Sequence, residues 1–349
     1  MAVINRIAGF EAEMTAWRRH LHTIPELDFD LHETAAFVAA RLREIGVDEI
    51  HEGIARTGIV ALIHGAAPGP VVGLRADMDA LPILEGPDRP YKSRYPGRMH
   101  ACGHDGHTTI LLGAARYLAE TRNFAGTVAL IFQPSEELSG GAKVMCDEGM
   151  MERFGIGRVF GLHNAPDCPL GNIETRPGAL MAAADQFEII VHGRGGHAAF
   201  PHGCLDPVPP AIDIAQGLRA IVSRRLDPLT AAVVSLTVLD AGEATNVIPQ
   251  TARLAGTVRT LDAGARTAIA GWIRTLAEGT ALAHGARAEV NYEFGYPVTM
   301  NDPAEAAFCA EVAAEVVGPA RVVADRPPEM GAEDFSYMLE ARPGASAVL

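Results

Sequence analysis

The chain has a low content of basic and aromatic residues and lacks any long apolar run. Its 349 residues include 29 Lys and Arg against 43 Asp and Glu, which gives a formal net charge of −14 at pH 7. This balance argues against a nucleic-acid partner, because proteins that bind nucleic acids hold the phosphates with clustered basic residues. No apolar run approaches the ~20 residues of a membrane span, and the amphipathic N-terminal segment does not resemble a signal peptide. We therefore expect a cytoplasmic protein with neither a nucleic-acid nor a membrane partner.

Cysteine is also scarce. The five cysteines are scattered along the chain, and no two of them form a CxxC pair: Cys102, Cys146, Cys168, Cys204 and Cys309. An odd number of unpaired cysteines argues against a disulfide framework and suits a reducing compartment. A cysteine with a function in this chain is then a metal ligand or a nucleophile, although a lone cysteine is more often a buried, inert residue.

The first half of the chain is typical of an α/β sheet flanked by helices. Apolar, β-rich segments lie at residues 58–65, 71–77, 127–133 and 158–163. Helical segments precede and separate them, among them one from about His107 to Glu120, for which Asp105 has the side chain of an N-cap. Apolar strands that alternate with helices indicate βαβ units and a sheet that is covered on both faces.

The pattern changes after about residue 180. Residues 181–296 have the order βαββαβ, which is typical of a small α+β domain, and α/β character returns at residues 297–349. We therefore predict two domains, which agrees with the chain length. One is formed by residues 1–180 and 297–349, and the other is inserted into it at residues 181–296.

Four segments of the predicted large domain carry side chains that could bind a metal ion. They are Asp77 and Asp79 after the second strand, Cys102 and His104 before the helix, Glu136 and Glu137 after the third strand, and His163 at the end of the fourth strand. Functional groups of open α/β sheets collect at the carboxyl ends of the strands, and thiolate, imidazole and carboxylate are ligands of zinc and related ions. Each residue alone has a commoner structural explanation, but four independent segments together favour a metal site.

The adjacent residues Glu136 and Glu137 suggest two different chemical roles. One carboxylate can bind metal while its neighbour accepts a proton from metal-bound water, whose pKa falls to about 7 at zinc.

In the inserted domain, His197 and Asn246 could stabilise an oxyanion, and Arg259 could hold a carboxylate. The alternative is that all three are surface residues of ordinary hairpins. Residues 333–334, Glu-Asp, have the simpler interpretation of an acidic loop.

Nine motifs occur in order along the chain: RRHLHTIPELDFDLHETAAFV, LRADMDALP, MHACGHDGHT, IFQPSEE, GLHN, GRGGHAAFPH, EATNVIP, GTVRT and MGAEDFSYM. Through these motifs the chain resembles amidohydrolases of the hippurate hydrolase type, within the dinuclear metallopeptidases that include aminoacylases and plant hydrolases of auxin conjugates. The resemblance covers nearly the whole chain. It implies an α/β fold, in which a metallopeptidase-type mixed sheet is flanked by helices and carries an inserted α+β lid and dimerisation domain.

The resemblance also implies roles for particular residues. It makes Cys102, His104, Glu137 and His163 metal ligands, Glu136 the general base, Asp79 an orienting residue, and His197, Asn246 and Arg259 substrate-binding residues, with His197 a candidate to reach across a dimer interface. Asp77 occupies the position of a family histidine and is not assigned as a ligand. Two divalent metal ions, Mn or Zn with Ni or Co as alternatives, are implied, as is a homodimer through the inserted domain.

The function implied is hydrolysis of the amide bond of N-acyl amino acids, such as hippurate-like N-aroyl or N-acetyl substrates, by metal-bound water. Family members continue through a segment like LHNPxYDF, whose histidine completes the metal site, whereas this chain stops at RPGASAVL. We therefore expect a C-terminally truncated protein with a weakened second metal site. The alternatives are a catalytically impaired metal-binding protein, or a thiol hydrolase with Cys102 as nucleophile and His104 or His107 as base.

Overall fold

The structure is a computed structural model that describes residues 5–86 and 88–349. The chain forms two compact units. The large unit comprises Met1–Leu180, Thr299–Pro327 and Glu333–Leu349, and the inserted unit comprises Met181–Val298 and Pro328–Ala332. Among the described residues, no helix has the length and apolar character that a membrane crossing requires.

The elements of the large unit that precede the inserted unit are numbered in chain order. They are α1 (Asn5–Ala8), α2 (Glu11–Thr23), α3 (His32–Ile45), β1 (Glu49–Ile54), β2 (Gly58–His64), β3 (Ala67–Asp77), α4 (His104–Thr121), β4 (Ala125–Gln133), α5 (Gly141–Asp147), α6 (Met150–Arg153), β5 (Ile156–His163), β6 (Ile173–Glu174) and β7 (Gly178–Met181).

The elements of the inserted unit follow. They are β8 (Ala183–His192), β9 (Gly196–His197), α7 (Val208–Arg225), β10 (Ala232–Asp240), β11 (Val247–Ile248), β12 (Thr251–Thr260), α8 (Ala263–Ala283) and β13 (Arg287–Phe294). The chain then forms β14 (Thr299–Asn301), α9 (Pro303–Val317), β15 (Val322–Val323), α10 (Ser336–Ala341) and β16 (Gly344–Val348). Short 3₁₀ helices lie at Pro201–Gly203 and Pro319–Arg321.

A mixed sheet forms the centre of the large unit, with the strand order β1-β2-β4-β3-β5-β16-β6-β15. The neighbours β4, β3, β5 and β16 are parallel, whereas β1 and β2 add to the edge in antiparallel pairs. The parallel strands end together, because Asp77 of β3 is in register with Gln133 of β4, and Val348 of β16 is in register with His163 of β5. The predicted mixed α/β sheet is confirmed, and its carboxyl edge gathers the candidate site.

Helices cover both faces of this sheet. Side chains of β4 alternate between two buried clusters, as the period of a strand requires: Leu130 and Phe132 join one cluster with Leu112 of α4, and Ile131 joins the other with Met145 of α5. Because both faces are buried, the strands of the sheet centre read as continuous apolar segments.

Helix α4 begins earlier than the sequence predicts. Its first residue is His104, and Gly103 lies in the N-cap position with a φ of +102°. A side chain at Gly103 would place a Cβ 2.2 Å from Oδ1 of Asn164, so the close approach of two loops explains the glycine. Asp105 is therefore not the N-cap, and that prediction was wrong. Its carboxylate instead accepts a hydrogen bond from the buried ring of His22 at 2.8 Å.

The inserted unit contains an antiparallel sheet with the order β10-β12-β8-β13. Alternate residues of β8 are buried, and Phe187 and Ile189 of this strand pack with Ile214 of α7 and Ile269 of α8. The main elements β8, α7, β10, β12, α8 and β13 follow the predicted order βαββαβ, and the two-residue strands β9 and β11 form a separate small ribbon.

Candidate metal centre

The carboxyl edge of the large sheet brings the four predicted metal ligands together. Sγ of Cys102 lies 3.4 Å from Nε2 of His163, and Nε2 of His104 lies 3.8 Å from Oε1 of Glu137. Ligand-type atoms of Cys102, His104 and Glu137 all lie within 4.8 Å of one another. The loop before α4, the loop after β4 and the end of β5 therefore deliver thiol, imidazole and carboxylate groups to one place.

Two buried atoms of this cluster indicate that it fits a metal ion. Neither Nε2 of His104 nor Oε1 of Glu137 has a hydrogen-bond partner among the described residues. A buried polar atom without a partner costs about 1–3 kcal/mol, so such atoms are rare in folded proteins. A divalent cation would satisfy both atoms together, and the donor set of thiol, imidazole and carboxylate is the one that zinc and related ions prefer.

Asp79 connects two of the candidate ligands. Its Oδ1 is 3.2 Å from Nδ1 of His104, and its Oδ2 accepts the backbone N–H of Glu137 at 2.9 Å. The first contact leaves Nε2 of His104 as the nitrogen that faces the cluster, and the second fixes the start of the segment that carries the carboxylate. Such contacts behind a ligand orient it and tune its basicity.

Asp77 lies beside the cluster, but both of its carboxylate oxygens already accept hydrogen bonds. Oδ2 accepts from the Arg75 guanidinium at 2.7 Å and Oδ1 accepts from Nδ1 of His107 at 2.7 Å. Burial alone would raise the pKa of Asp77, but the charges of His104, Arg75 and His107 outweigh burial and hold that pKa well below its usual value. These contacts give both oxygens of Asp77 buried partners from the protein itself.

Ionisation of the candidate ligands depends on burial and on their neighbours. Burial raises the pKa of the Cys102 thiol and the pKa of the Glu137 carboxyl. Burial would lower the pKa of His104, but Asp77 and Asp79 outweigh it and raise that pKa well above the usual value. A metal ion that binds at these groups therefore displaces protons, which makes its affinity dependent on pH.

Glu136 lies on the buried side of the glutamate pair, against the loop at residues 333–334. The backbone N–H of Asp334 donates to its Oε1 at 3.4 Å. Burial raises the pKa of Glu136 well above its usual value, and the carboxylates of Glu333 and Asp334 add to the effect. A carboxyl group with a strongly raised pKa beside a candidate metal site has the character of a general acid or base.

Sequence analysis missed Arg75 and the burial of the loop that faces it. Glu333 and Asp334 are 4% and 0% exposed, and both accept hydrogen bonds from the Arg75 guanidinium, at 2.8 and 3.0 Å. The interpretation as a simple acidic loop is therefore wrong. A signal was present, because an arginine inside an apolar strand requires buried carboxylates as partners.

The structure brings two of the three predicted substrate-binding residues together within the inserted unit. His197 is in register with Val247 in the β9–β11 ribbon, and the backbone N–H of Ala198 donates to the carbonyl of Asn246 at 2.9 Å. Both His197 and Asn246 are exposed. Arg259 lies apart from this ribbon on β12, where its side chain is half-buried.

Comparison with known proteins shows the family of the chain. Residues 73–349 match peptidase family M20/M25/M40. The hippurate hydrolase of Campylobacter jejuni is 41% identical over 349 residues, which cover 100% of this chain and 91% of the relative. The N-acetylcysteine deacetylase of Bacillus subtilis is 41% identical over 337 residues, which cover 96% of this chain and 87% of the relative.

A solved structure carries the same fold. The crystal structure of a dinuclear metal-binding peptidase of the M20 family from Bacillus subtilis is 37% identical, with a TM-score of 0.86, and the match covers 98% of this chain and 89% of that one. In the present chain, ligand-type atoms of Cys102, His104 and Glu137 converge at one place. The sequence match, the shared fold and the ligand cluster together show that this chain is a hydrolase that belongs to peptidase family M20/M25/M40.

Proposed function

We propose that the protein hydrolyses the amide bond of N-acyl amino acids, either hippurate-like N-aroyl compounds or N-acetyl compounds. The observation that carries the proposal is the pair of unpartnered, buried ligand atoms on His104 and Glu137, together with the buried carboxyl of Glu136, which precedes Glu137 in the chain. Two similar proteins support the substrate class, since hippurate and N-acetylcysteine, which appear in their names, are both N-acylated amino acids.

In this proposal the metal ligands are Cys102, His104, Glu137 and His163, which would hold two divalent ions, Mn or Zn. Divalent ions at such sites polarise a carbonyl group and lower the pKa of water. Glu136 would accept the proton of the attacking water and return it to the leaving amine, because burial raises the pKa of its carboxyl and lets it hold a proton more readily than an exposed carboxyl does.

The inserted unit would supply substrate contacts. His197 of β9 and Asn246, which directly precedes β11, are donors suited to an oxyanion. Arg259 would bind the carboxylate of the amino acid with two parallel hydrogen bonds. An Arg259→Lys variant should then raise KM for hippurate more than it lowers kcat, since an ammonium group cannot reproduce the paired contact.

The central test uses Glu136→Gln, which keeps the size of the side chain and removes its proton affinity. We expect kcat on hippurate or an N-acetyl amino acid to fall about 10²- to 10⁴-fold with the metal content unchanged. Glu305→Gln is the matched control, because Glu305 is also buried but pairs with Arg158 on another part of the large unit. The proposal fails if protein loaded with Mn²⁺ or Zn²⁺ hydrolyses no member of an N-acyl amino acid panel.

Chelation and the Glu136→Gln variant test the two alternative functions, a thiol hydrolase and a catalytically impaired metal-binding protein. A thiol hydrolase would keep its activity in EDTA, whereas the metal mechanism loses it and regains it with added Mn²⁺ or Zn²⁺. The raised pKa of Cys102 argues against a thiol nucleophile, since the thiolate is the reactive form. A catalytically impaired metal-binding protein would bind metal with no turnover for Glu136→Gln to remove.

We also propose a homodimer through β10, one of the two edge strands of the inserted sheet. An edge strand presents unpaired N–H and C=O groups, and β10 also exposes the apolar side chains of Val233 and Leu239. The double variant Val233→Lys with Leu239→Lys should be monomeric in light-scattering measurements. Leu229→Lys, at a side chain that is fully exposed outside the strand, should leave the dimer intact.

A further inference from the structure

His107 lies beside the candidate ligands without an assigned role. Its ring is buried, and its Nδ1 is 2.7 Å from Oδ1 of Asp77. The backbone N–H of Asn164 donates to Nε2 of His107 at 3.0 Å. Because Nε2 accepts a hydrogen bond, the ring hydrogen is on Nδ1, which donates to Asp77. Both ring nitrogens are therefore engaged, and His107 has no lone pair left for a metal ion.

The residue that donates to His107 follows directly after a proposed ligand. The N–H of Asn164 belongs to the peptide group that joins it to His163, so the contact with His107 fixes that peptide plane. Nδ1 of His163 lies 2.6 Å from the carbonyl oxygen of Asn164, which leaves Nε2 of His163 facing Cys102. The rings of His107 and His163 also meet directly, with centroids 4.5 Å apart at 63°.

The other end of this chain of contacts is held in the sheet. Asp77 accepts from Arg75 at 2.7 Å, and Arg75 is itself held by Glu333 at 2.8 Å. Asp77 cannot turn away without breaking a buried ion pair. The tautomer and orientation of His107 are therefore set from β3, and its Nε2 is presented to the end of β5.

We propose that His107 is a positioning residue that orients His163 for metal binding through the N–H of Asn164. The proposal rests on the assignment of His163 as a ligand in the proposed function. His107 acts by keeping Nε2 of His163 aimed at the cluster, so its removal weakens the binding of the ion that His163 holds and leaves the other ion bound.

The test is a metal titration of metal-free protein with Zn²⁺ or Co²⁺. In His107→Gln the amide oxygen can still accept from Asn164, whereas the shorter amide of His107→Asn cannot reach it. We expect about 10- to 100-fold weaker binding of one ion in His107→Asn, near-normal binding in His107→Gln, and a changed Co²⁺ absorption spectrum only in the former. His100→Asn is the control, because His100 is also buried but belongs to none of the clusters of ligand-type atoms found among the described residues.

A double-mutant cycle tests whether His107 affects metal binding through His163. If His107 acts through His163, His107→Asn should add little to the loss of metal affinity in a His163→Ala background. Additive losses, or equal losses in His107→Asn and His107→Gln, would overturn the proposal. Thermal unfolding of each metal-free variant shows whether it is folded. Metal affinity is measured without substrate, so the two proposals can fail separately. If His107 and His163 are coupled in metal binding but the protein hydrolyses no N-acyl amino acid, only the proposed function is refuted.

Discussion

Arg75→Met tests how the large unit keeps a group of carboxylates buried. The guanidinium donates to four acceptors: Gln133 Oε1 at 2.7 Å, Asp77 Oδ2 at 2.7 Å, Glu333 Oε1 at 2.8 Å and Asp334 Oδ1 at 3.0 Å. Methionine retains an apolar side chain of moderate length but removes every donor. The three carboxylates would then lose the cation that they share.

The expected loss of stability in Arg75→Met follows from the burial of these groups. Removing one partner of a buried ion pair costs about 3–5 kcal/mol, because the remaining charge is uncompensated. Burial alone would raise the pKa of Glu333, but the charge of Arg75, aided by His163 and by the backbone N–H of Phe335, lowers that pKa below its usual value. Stability from this pairing is present above the unfolded pKa of about 4 and is lost as the pH falls through the folded pKa. In Arg75→Met the charge that opposes burial is gone, so burial raises the pKa of Glu333 and the variant recovers stability by taking up a proton as the pH falls. The difference between wild type and Arg75→Met should therefore be larger at pH 8 than at pH 5.

Thermal unfolding of the metal-free protein at these two pH values measures the effect. For a unit of this size, 3–5 kcal/mol corresponds to a decrease in Tm of about 6–20 °C. Arg75→Lys should lose less stability than Arg75→Met, because lysine keeps the positive charge. It should still be less stable than the wild type, because its ammonium group cannot reach all four acceptors. Arg43→Met is the control, since Arg43 pairs with Glu52 at the surface, where an ion pair contributes at most about 1 kcal/mol. Equal losses in Arg75→Met and Arg43→Met, or the same loss at both pH values, would refute the reasoning.

Three other perturbations have expected outcomes. Asp79→Ala removes the acceptor of the His104 ring and of the Glu137 amide, and should weaken Mn²⁺ binding about 10- to 100-fold in a calorimetric titration; unchanged affinity would contradict the orienting role. Gly103→Ala places a side chain at a φ of +102° with its Cβ 2.2 Å from Asn164. It should lower the free energy of unfolding by about 1–3 kcal/mol. The control Gly279→Ala lies in α8, where the added Cβ meets nothing within 4 Å, and should not destabilise the protein. Burial raises the pKa of the Cys146 thiol to about 12, so iodoacetamide at pH 8 should modify Cys146 in urea but not in the native protein, as peptide mass spectrometry would show.

The fold class and the location of the candidate ligands could be predicted from the sequence. Apolar strands bounded by polar residues have a strong pattern, and parallel strands place their carboxyl ends at one edge. Glu137 and His163 each follow such a strand, so their convergence required no knowledge of the loops. Cys102 and His104 could be added because they precede a helix with clear apolar periodicity.

The start of α4 and the environment of residues 333–334 could not be predicted in this way. Gly103 is in the N-cap position because Asn164, from a distant loop, leaves no room for a side chain. The contact between Arg75 and Glu333 joins residues 258 positions apart, a separation that no local pattern reports. An acidic pair near the chain end is equally compatible with a solvated loop until the partner is known.

By itself the sequence determined which residue types could form a metal site and which strands would carry them, because side-chain chemistry and strand periodicity are local properties. Only the tertiary structure decided which of these groups have hydrogen-bond partners and which do not. Asp77 and His107 have the chemistry of ligands, but Arg75 and the N–H of Asn164 engage their atoms. Nε2 of His104 and Oε1 of Glu137 are left without partners among the described residues, and that difference arises from hydrogen bonds between segments far apart in the chain.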